Sequence, residues 1–594
     1  MNGRRPLLLV APESFYFSNS AGVPQLTGYL ETQKIPVVQR VLDNCFYSHV
    51  CSREILEQSF DQLEKLLPTA PEKLVALAAL SLQFTGLAKE WGLDNGAAPN
   101  LLKSLIRKRR EVQKDLENTG HLLETKFLML GRERFMGALM KLQVALGLYC
   151  MPYWPYSFSV AEGASLPQSS SASVAAAVRS PQNFLDAYYR KYVLPTLPAD
   201  PLLCGISLSH PCQTTGAFTL ACALKERFPG VHIVLGGITV SVLRDTYTAP
   251  GPLWEFYDSV VVGPGEAVLT DLYNELASPQ PDLARVKGLT WKDANKVIHA
   301  AVGQSSFDVA NIATPVFTDP RPRPILQVAT SFGCDWAQCR FCAYPKFLSD
   351  EGGYFTRPID RIVEDLGILT EKYNPTYFHL TDSSMSSAHL GSLCDAIIRD
   401  GKPYPMHAFM RILPEFKEKD FCQKLKKAGF WGLQLGLESG SPRMLKVMKK
   451  GLTTDLASAG IKRLSEEGLI LGTFVIVGFP TETEEDRELT VEFLKAHMPF
   501  MSSDIALMWY KVYKRSHVWY NPGSFGVELR PDPTQDLSAI IDYVTAEGTN
   551  PVVAEKLMNE VNQKLGLPKY FWRHVATMLD YFYPEVREGS KRTD

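Results

Sequence analysis

The sequence has no long hydrophobic run. No stretch of about 18 or more consecutive apolar residues occurs, so no membrane span is expected. Neither sign of charge dominates: 62 lysines and arginines stand against 64 aspartates and glutamates, a formal net charge of −2. That balance argues against a nucleic-acid partner held by bulk charge. Cysteine is sparse, with 11 residues in a chain of 594. So few, and an odd number, do not make the dense disulfide framework of a small secreted protein. No repeat with a period of about 20–50 residues is present. Nor is the composition biased: 45 % hydrophobic and 21 % charged residues are close to a globular average and exclude a disordered or collagen-like chain. The amino terminus, MNGRRPLLLVAPESF, carries two arginines and a short apolar run. The run stops at Pro12 and Glu13, too short for a secretory signal, and reads as a first strand. The expected location is cytoplasmic and reducing.

What is present is alternation. PLLLVA (6–11) reads as a buried strand, PQLTGYLETQ from Pro24 as a helix, and IPVVQRVL as a second strand. From about Ser52 to Cys150 leucine, glutamate, lysine and alanine dominate at helical spacing, which predicts a helical insertion. SLPQSSSASVAAAVRSPQ (165–182) reads as an exposed loop. The alternation then resumes with strands at LLCGISLS (202–209), VHIVLGG (231–237) and the start of DSVVVGPGEAVLTDLYNEL (258–276), separated by the helix GAFTLACALKERF (216–228). Such alternation predicts an open parallel sheet with ligands at the carboxyl ends of its strands. Residues 277–324 read as a connector ending in PRPRP. A second block follows, with strands at ILQVAT (325–330), YFHLTD (377–382), HAFMRI (407–412), GLQLGLE (432–438) and GTFVIVGF (472–479). Six or so strand–helix units suggest a full or partial β/α barrel. The expected organisation is α/β throughout. It comprises a doubly wound, Rossmann-like domain at 1–300 with its insertion at about 52–150, a barrel at 316–515 and a small mixed, mostly helical extension at 516–594.

Three of the cysteines lie within nine residues. SFGCDWAQCRFCAYP puts Cys334, Cys339 and Cys342 in one loop after the first strand of the second block. A structural zinc normally closes its tetrahedron with four protein ligands. A cluster of iron and sulfur held by three cysteines leaves one iron free for another molecule. The zinc alternative needs a remote fourth ligand such as His379 or His407; unligated thiols are a third reading. The other eight cysteines sit in apolar context and read as small core residues.

Three cysteines in such a loop, with an aromatic residue before the last, resemble the radical S-adenosylmethionine enzymes. The usual spacing there is C-x-x-x-C-x-x-C, and this sequence has one more residue in the first gap. GLQLGLESGSPRMLKVMKKGLT (432–453), GTFVIVGFPTETEED (472–486) and RPIDRIVEDL (357–366) resemble further segments of that family, in the same order. The resemblance implies a 4Fe-4S cluster on Cys334, Cys339 and Cys342, whose open iron binds S-adenosylmethionine and cleaves it with one electron. A flavodoxin- or ferredoxin-like donor would supply that electron. It also implies S-adenosylmethionine contacts at Phe341, at Asp382, Ser383 and Ser384 for the amino group, at Arg411 for the carboxylate or a substrate anion, at Glu438 and Ser439 for the ribose, and at Gly478 beside the adenine. A cap for the helix after SGSPRML is the plain alternative for Glu438 and Ser439.

The first block resembles the cobalamin-binding domain of cobalamin-dependent members. That likeness implies contacts at Ser207, Ser209 and His210, at Gly236 and Gly237, and at Gly263, Gly265 and Glu266. The cobalt-ligating D-x-H-x-x-G motif is not present. The nearest likeness is to methyltransferases of this kind that mature ribosomal peptides. The expected function is therefore C-methylation of an unactivated carbon in a peptide or peptide-derived natural product. Radical cyclisation, rearrangement or epimerisation, and a zinc-stabilised binding protein without catalysis, are the alternatives.

Overall fold

In a computed structural model of the chain, residues 5–10, 21–72, 74–75, 78, 87–94, 96–125, 132–160, 163–294, 296–300, 309–318, 324–346, 353–501 and 505–567 are described. Pro12, Glu13 and most of PRPRP lie outside them, as do parts of the helical insertion.

The first sheet has seven strands. Leu7–Val10, Val38–Val41, Leu203–Ser207, His232–Gly236 and Ser259–Val261 run parallel, in the order 38–41, 7–10, 203–207, 232–236, 259–261. Burial of both faces explains the unbroken apolar text of these strands, such as the fully buried Leu7–Val10. Leu289–Asp293 and Lys296–His299 extend the edge antiparallel. They fall in the segment read as a connector. Their hairpin carries charged ends (Lys292, Asp293, Lys296), which hid the alternation.

Between strands 38–41 and 203–207 the chain makes the expected helical insertion, including Arg53–Leu66, Ala98–Arg107 and Arg132–Cys150. Its core is aromatic: the Phe46 ring lies 5.1 Å from those of Phe158 and Tyr188. Residues 134–153 are long and apolar enough to cross a membrane by length and composition, and most of them are buried inside this core. The stretch read as an exposed loop is instead partly a helix, Ser171–Val178, started by the Ser170 hydroxyl accepting from the Ser173 N–H. Its alanines and valines bury one face, and alanine is the best intrinsic helix former.

The second sheet is wholly parallel, with six strands in chain order: Ile325–Val328, Tyr377–Leu380, Met406–Arg411, Phe430–Glu438, Ile470–Val477 and Ile505–Trp509. The last lies beyond the five strands read from sequence. First and last strands do not pair among the described residues, so the barrel is partial. Leu326, Val328, Phe378, Leu380, Met406, Ala408, Met410, Leu433, Leu435 and Leu437 form the core against the surrounding helices. By the two-residue period of a strand, Gln327, His379, His407, Phe409, Arg411, Gln434 and Glu438 face inward.

The C-terminal segment contains more strand than expected. Val512–Tyr513, Val527–Arg530 and Ile540–Thr545 make a small antiparallel sheet, followed by the helix Pro551–Lys564.

Candidate functional site

The cysteine loop grows from the carboxyl end of the first inner strand. Ser331–Gly333 pairs antiparallel with Tyr354–Thr356. Gly333 adopts φ +84°, and a Cβ there would stand 1.8 Å from the Gly353 carbonyl oxygen, so only glycine allows this turn into Cys334. The loop is then fastened to the segment after strand 430–438. The Trp336 indole N–H donates to the Lys449 carbonyl (2.8 Å), the Arg340 N–H to the Met448 carbonyl (3.0 Å) and the Arg340 guanidinium to the Val447 carbonyl (3.1 Å). Gly451 (φ +67°) packs against the Trp336 ring, where a Cβ would stand 2.4 Å from a ring carbon.

Cys334, Cys339 and Cys342 are half-buried free thiols. Burial pushes Cys339 up to about 11 and Cys342 up to about 12; Cys334 adds to the rise at Cys339, and Cys339 and Cys334 add to it at Cys342. Three thiols gathered in one loop suit a group that binds all three as thiolates. Among the described residues no three histidine, cysteine or acidic side chains could hold a metal ion between them. A four-iron cluster does not require that convergence, because each thiolate takes a different iron.

His379 and His407, the remote ligands that zinc would need, are register partners on adjacent strands with their Nδ1 atoms 3.1 Å apart. Burial holds His379 down at about 4 and His407 well below its usual value, so the pair stays neutral inside the sheet. Among the described residues neither histidine joins the three cysteines in a group that could hold a metal ion.

Facing the loop is a cluster of charge. Arg411 ends its strand with its guanidinium 4.5 Å from the Trp336 ring and 3.6 Å from the Asp335 carboxylate; it also donates to the Lys450 carbonyl (3.2 Å). Its Nε is buried with no protein partner. Glu438 sits at a register shift between strands 430–438 and 470–477, with φ +70°. A non-glycine residue in that region is strained, and such strain collects at functional sites. The Glu438 carboxylate takes the buried Lys450 ammonium at 2.8 Å. Phe341 is half-buried against Met444, Met448, Ile476 and Tyr510.

The remaining expected contacts have other work in this structure. Asp382 is 1 % exposed and accepts from the Thr330 N–H (3.1 Å), the Thr330 hydroxyl (2.8 Å) and the Ser331 hydroxyl. It ties the root of the cysteine loop to the next strand, and burial pushes its carboxyl up. The neighbouring Ser384 hydroxyl is buried with no protein partner, while Ser383 stands beside the Tyr344 phenol. Ser439 is fully buried, 3.0 Å from the Thr490 hydroxyl, and accepts from the Ser441 N–H. Ser441, not Ser439 or Glu438, caps the helix Pro442–Val447. Gly478 (φ +81°) packs against Ala554 of the C-terminal helix and donates its N–H to Glu482 (2.7 Å).

A second feature opens toward the same loop. A cavity of about 350 Å³ lies at the carboxyl ends of the first sheet's parallel strands. Six of the eight residues expected there line it: Ser207, Gly236, Gly237, Gly263, Gly265 and Glu266. Gly237 has φ +101°, and a Cβ would stand 2.5 Å from the Leu208 carbonyl oxygen. Ser241 joins two of these turns, donating to the Gly237 carbonyl (3.1 Å) and accepting from the Gly263 N–H (2.9 Å). Gln25, also a lining residue, has an amide nitrogen that is buried and without a protein partner. Ala329, Phe332 and Tyr344, from the loop that carries the cysteines, complete the wall. Ser209 and His210 stand outside it. The Ser209 N–H and the His210 N–H both donate to Gln213, and the His210 ring accepts from the Cys212 N–H at 3.3 Å, capping the turn Pro211–Gln213.

Lys450, Asp335, Trp336, Ser241, Gln25 and Tyr344 were not singled out as site residues from sequence. Lys450, Asp335, Trp336 and Tyr344 lay within quoted motifs; Gln25 lay in a segment read only as a helix, and Ser241 had only its position near a glycine turn as a signal.

The sequence model of the Radical SAM superfamily matches residues 328–494. An uncharacterised methyltransferase of Pyrococcus horikoshii is 28 % identical over 307 residues, covering 50 % of this chain and 64 % of its own length. The anaerobic magnesium-protoporphyrin IX monomethyl ester cyclase of Cereibacter sphaeroides is 25 % identical over 386 residues, 62 % of this chain and 59 % of its own. The chain thus spans less than two thirds of either relative. Among solved structures, the radical S-adenosylmethionine methyltransferase TsrM of Kitasatospora setae, with cobalamin and a [4Fe-4S] cluster bound, superposes with a TM-score of 0.57 at 14 % identity, covering 99 % of this chain and 100 % of that one. The cobalamin-dependent S-adenosylmethionine radical enzyme OxsB, with aqua-cobalamin and S-adenosylmethionine bound, gives 0.54 at 12 % identity, covering 94 % of this chain and 66 % of that one. At these identities the likeness is one of fold, and it extends over both halves of the chain.

Proposed function

We propose that this chain, which carries a radical SAM domain over residues 328–494, is a cobalamin-dependent radical enzyme that methylates an unactivated carbon of a peptide or peptide-derived natural product. The supporting observation is the shared wall. The cavity that ends the first sheet is closed by Ala329, Phe332 and Tyr344, which flank Cys334, Cys339 and Cys342 in sequence, so a group held in one half meets a group held in the other. The donor sets fit the two cofactors. Three thiols in one loop suit a cluster with an open iron, and glycine turns with an unpartnered amide at Gln25 suit close backbone approach by a large polar cofactor. When bound, the cluster, S-adenosylmethionine and cobalamin supply one-electron bond cleavage and a carrier for the methyl group, which is the hard chemistry of such a reaction.

The chain's own residues bind, orient and exclude. Cys334, Cys339 and Cys342 hold the cluster, and the bonds from Trp336 and Arg340 to residues 447–449 keep the loop from moving. Arg411, with its unpartnered Nε, meets a carboxylate brought to the loop. The Ser384 hydroxyl is free to bond an amino group. Gly236, Gly237, Gly263 and Gly265 let backbone approach cobalamin. A flavodoxin- or ferredoxin-class donor supplies the electron.

Ring formation without methyl transfer is the second reading, favoured by the likeness to a cyclase. Anaerobically reconstituted chain, incubated with S-adenosylmethionine carrying a labelled methyl group and candidate peptides, separates the two. The proposal expects label in a product heavier by one methylene; a product lighter by two hydrogens, without label, would support the cyclase reading instead.

A further inference from the structure

Lys450 is 4 % exposed and lies between the strand ends and the cysteine loop. Its Nζ stands 2.8 Å from Glu438, and both side chains are almost shut off from water. Burial alone would favour loss of its proton, but the adjacent carboxylate outweighs that and keeps the ammonium charged. Gly436 makes the space: a Cβ there would stand 2.7 Å from Nζ and 2.9 Å from the Glu438 oxygen. Bonds from Arg340 and Trp336 fix the backbone of residues 448 and 449 to the cysteine loop, and one from Arg411 holds residue 450 to the end of strand 406–411. Nζ lies 6.0 Å from the ring of Phe341, whose chain neighbour is Cys342.

We infer that Lys450 and Glu438 poise the reduction potential of the cluster bound by Cys334, Cys339 and Cys342. The fixed ammonium favours the reduced, more negative cluster, and Glu438 both anchors that ammonium and offsets part of its charge. The inference rests on the cluster reading above. Reduction adds one electron from an external donor of the flavodoxin or ferredoxin class. No bond forms or breaks, no proton is taken up, and the fixed cation balances the added charge. In a site shielded from water such a charge acts far more strongly than at the surface, and charge near a cluster is an established lever on its potential.

The test is a redox titration of the full chain, reconstituted anaerobically and without S-adenosylmethionine, read from the electron paramagnetic resonance signal of the reduced cluster. Lys450→Met should make reduction at least tenfold less favourable, 59 mV per tenfold for one electron. Glu438→Gln, which removes the offsetting charge and keeps the ammonium, should move the potential the other way. Lys450→Arg should restore most of the wild-type value. Shifts of the same sign in Lys450→Met and Glu438→Gln, or none in either, at wild-type iron content overturn the inference. If Lys450→Met fails to load, Glu438→Gln decides it: a potential moved upward, with Lys450→Arg close to the wild type, supports the inference, and an unmoved Glu438→Gln sinks it. A wild-type chain that assembles no cluster removes the functional reading and the inference together, an outcome distinct from a loaded cluster whose potential does not move.

Discussion

Changing Cys339 to Ala removes one of three ligands, and we expect iron content to fall and cleavage of S-adenosylmethionine to be lost, measured as deoxyadenosine formed. Retained cleavage would mean the loop is misassigned. Gly237 carries a different constraint. With φ +101° and the Leu208 carbonyl 2.5 Å from where a Cβ would stand, Gly237→Ala should cost about 1–3 kcal/mol, read as a lowered Tm, and weaken cobalamin retention. Glu482 is buried and accepts the Gly478 N–H, with Arg487 3.7 Å away; burial pushes its carboxyl up to about 7. A raised carboxyl binds its proton more tightly in the folded chain than in the unfolded one. Its contribution to stability is therefore full below the unfolded value of about 4.3 and is lost as pH rises through about 7. Thermal unfolding followed across that window should show a slope that flattens in Glu482→Gln; an unchanged slope would remove Glu482 as its source.

Helices and turns carry the next scale. Asp486 joins two helix starts. It closes the capping box with Thr483 at the head of Glu484–His497, accepts from the Ser441 hydroxyl that caps Pro442–Val447, and pairs with Arg443. Burial opposes its charge, but Arg443 and the hydroxyl and N–H donors hold its carboxyl far below the usual range. Asp486→Ala opens the capping box, leaves the Ser441 hydroxyl and the Arg443 guanidinium without their shared acceptor, and should cost about 2–4 kcal/mol by denaturant unfolding. This is also the scale at which the sequence was most and least legible. Parallel strands buried on both faces announce themselves as apolar runs, so LLLV, LCGIS and LQLGLE were readable. The 289–299 hairpin, with charges at its turn, was not, and the Ser/Ala stretch at 165–182 hid a buried helix because its composition is that of a linker. The cysteines were legible because spacing alone carries their chemistry. Lys450, Gln25 and Ser241 were not, because what marks them is burial and an ion pair, a missing partner or a bridging bond, none of which a linear text displays.

Over the whole molecule, the two sheets meet along one seam. The Ala21 N–H donates to Gln327 at the head of the partial barrel (3.2 Å), Arg244 to the Lys346 carbonyl (3.3 Å), and the buried Arg515 pairs with Asp245 (2.7 Å). The helix Gly22–Thr32 lies against the connecting chain at Gly28, where a Cβ would stand 2.1 Å from the Thr314 carbonyl oxygen. Gly28→Ala should therefore displace that helix, lower stability by about 1–3 kcal/mol and, because Gly22, Val23, Gln25 and Leu26 wall the cavity, reduce the cobalt retained after gel filtration. In the proposed enzyme one chain joins a three-cysteine cluster to a cobalamin cavity across that seam. Metal analysis of the anaerobically reconstituted full chain tests it most directly: we expect about four irons and about one cobalt per chain, whereas zinc in place of iron, or iron without cobalt, would contradict it.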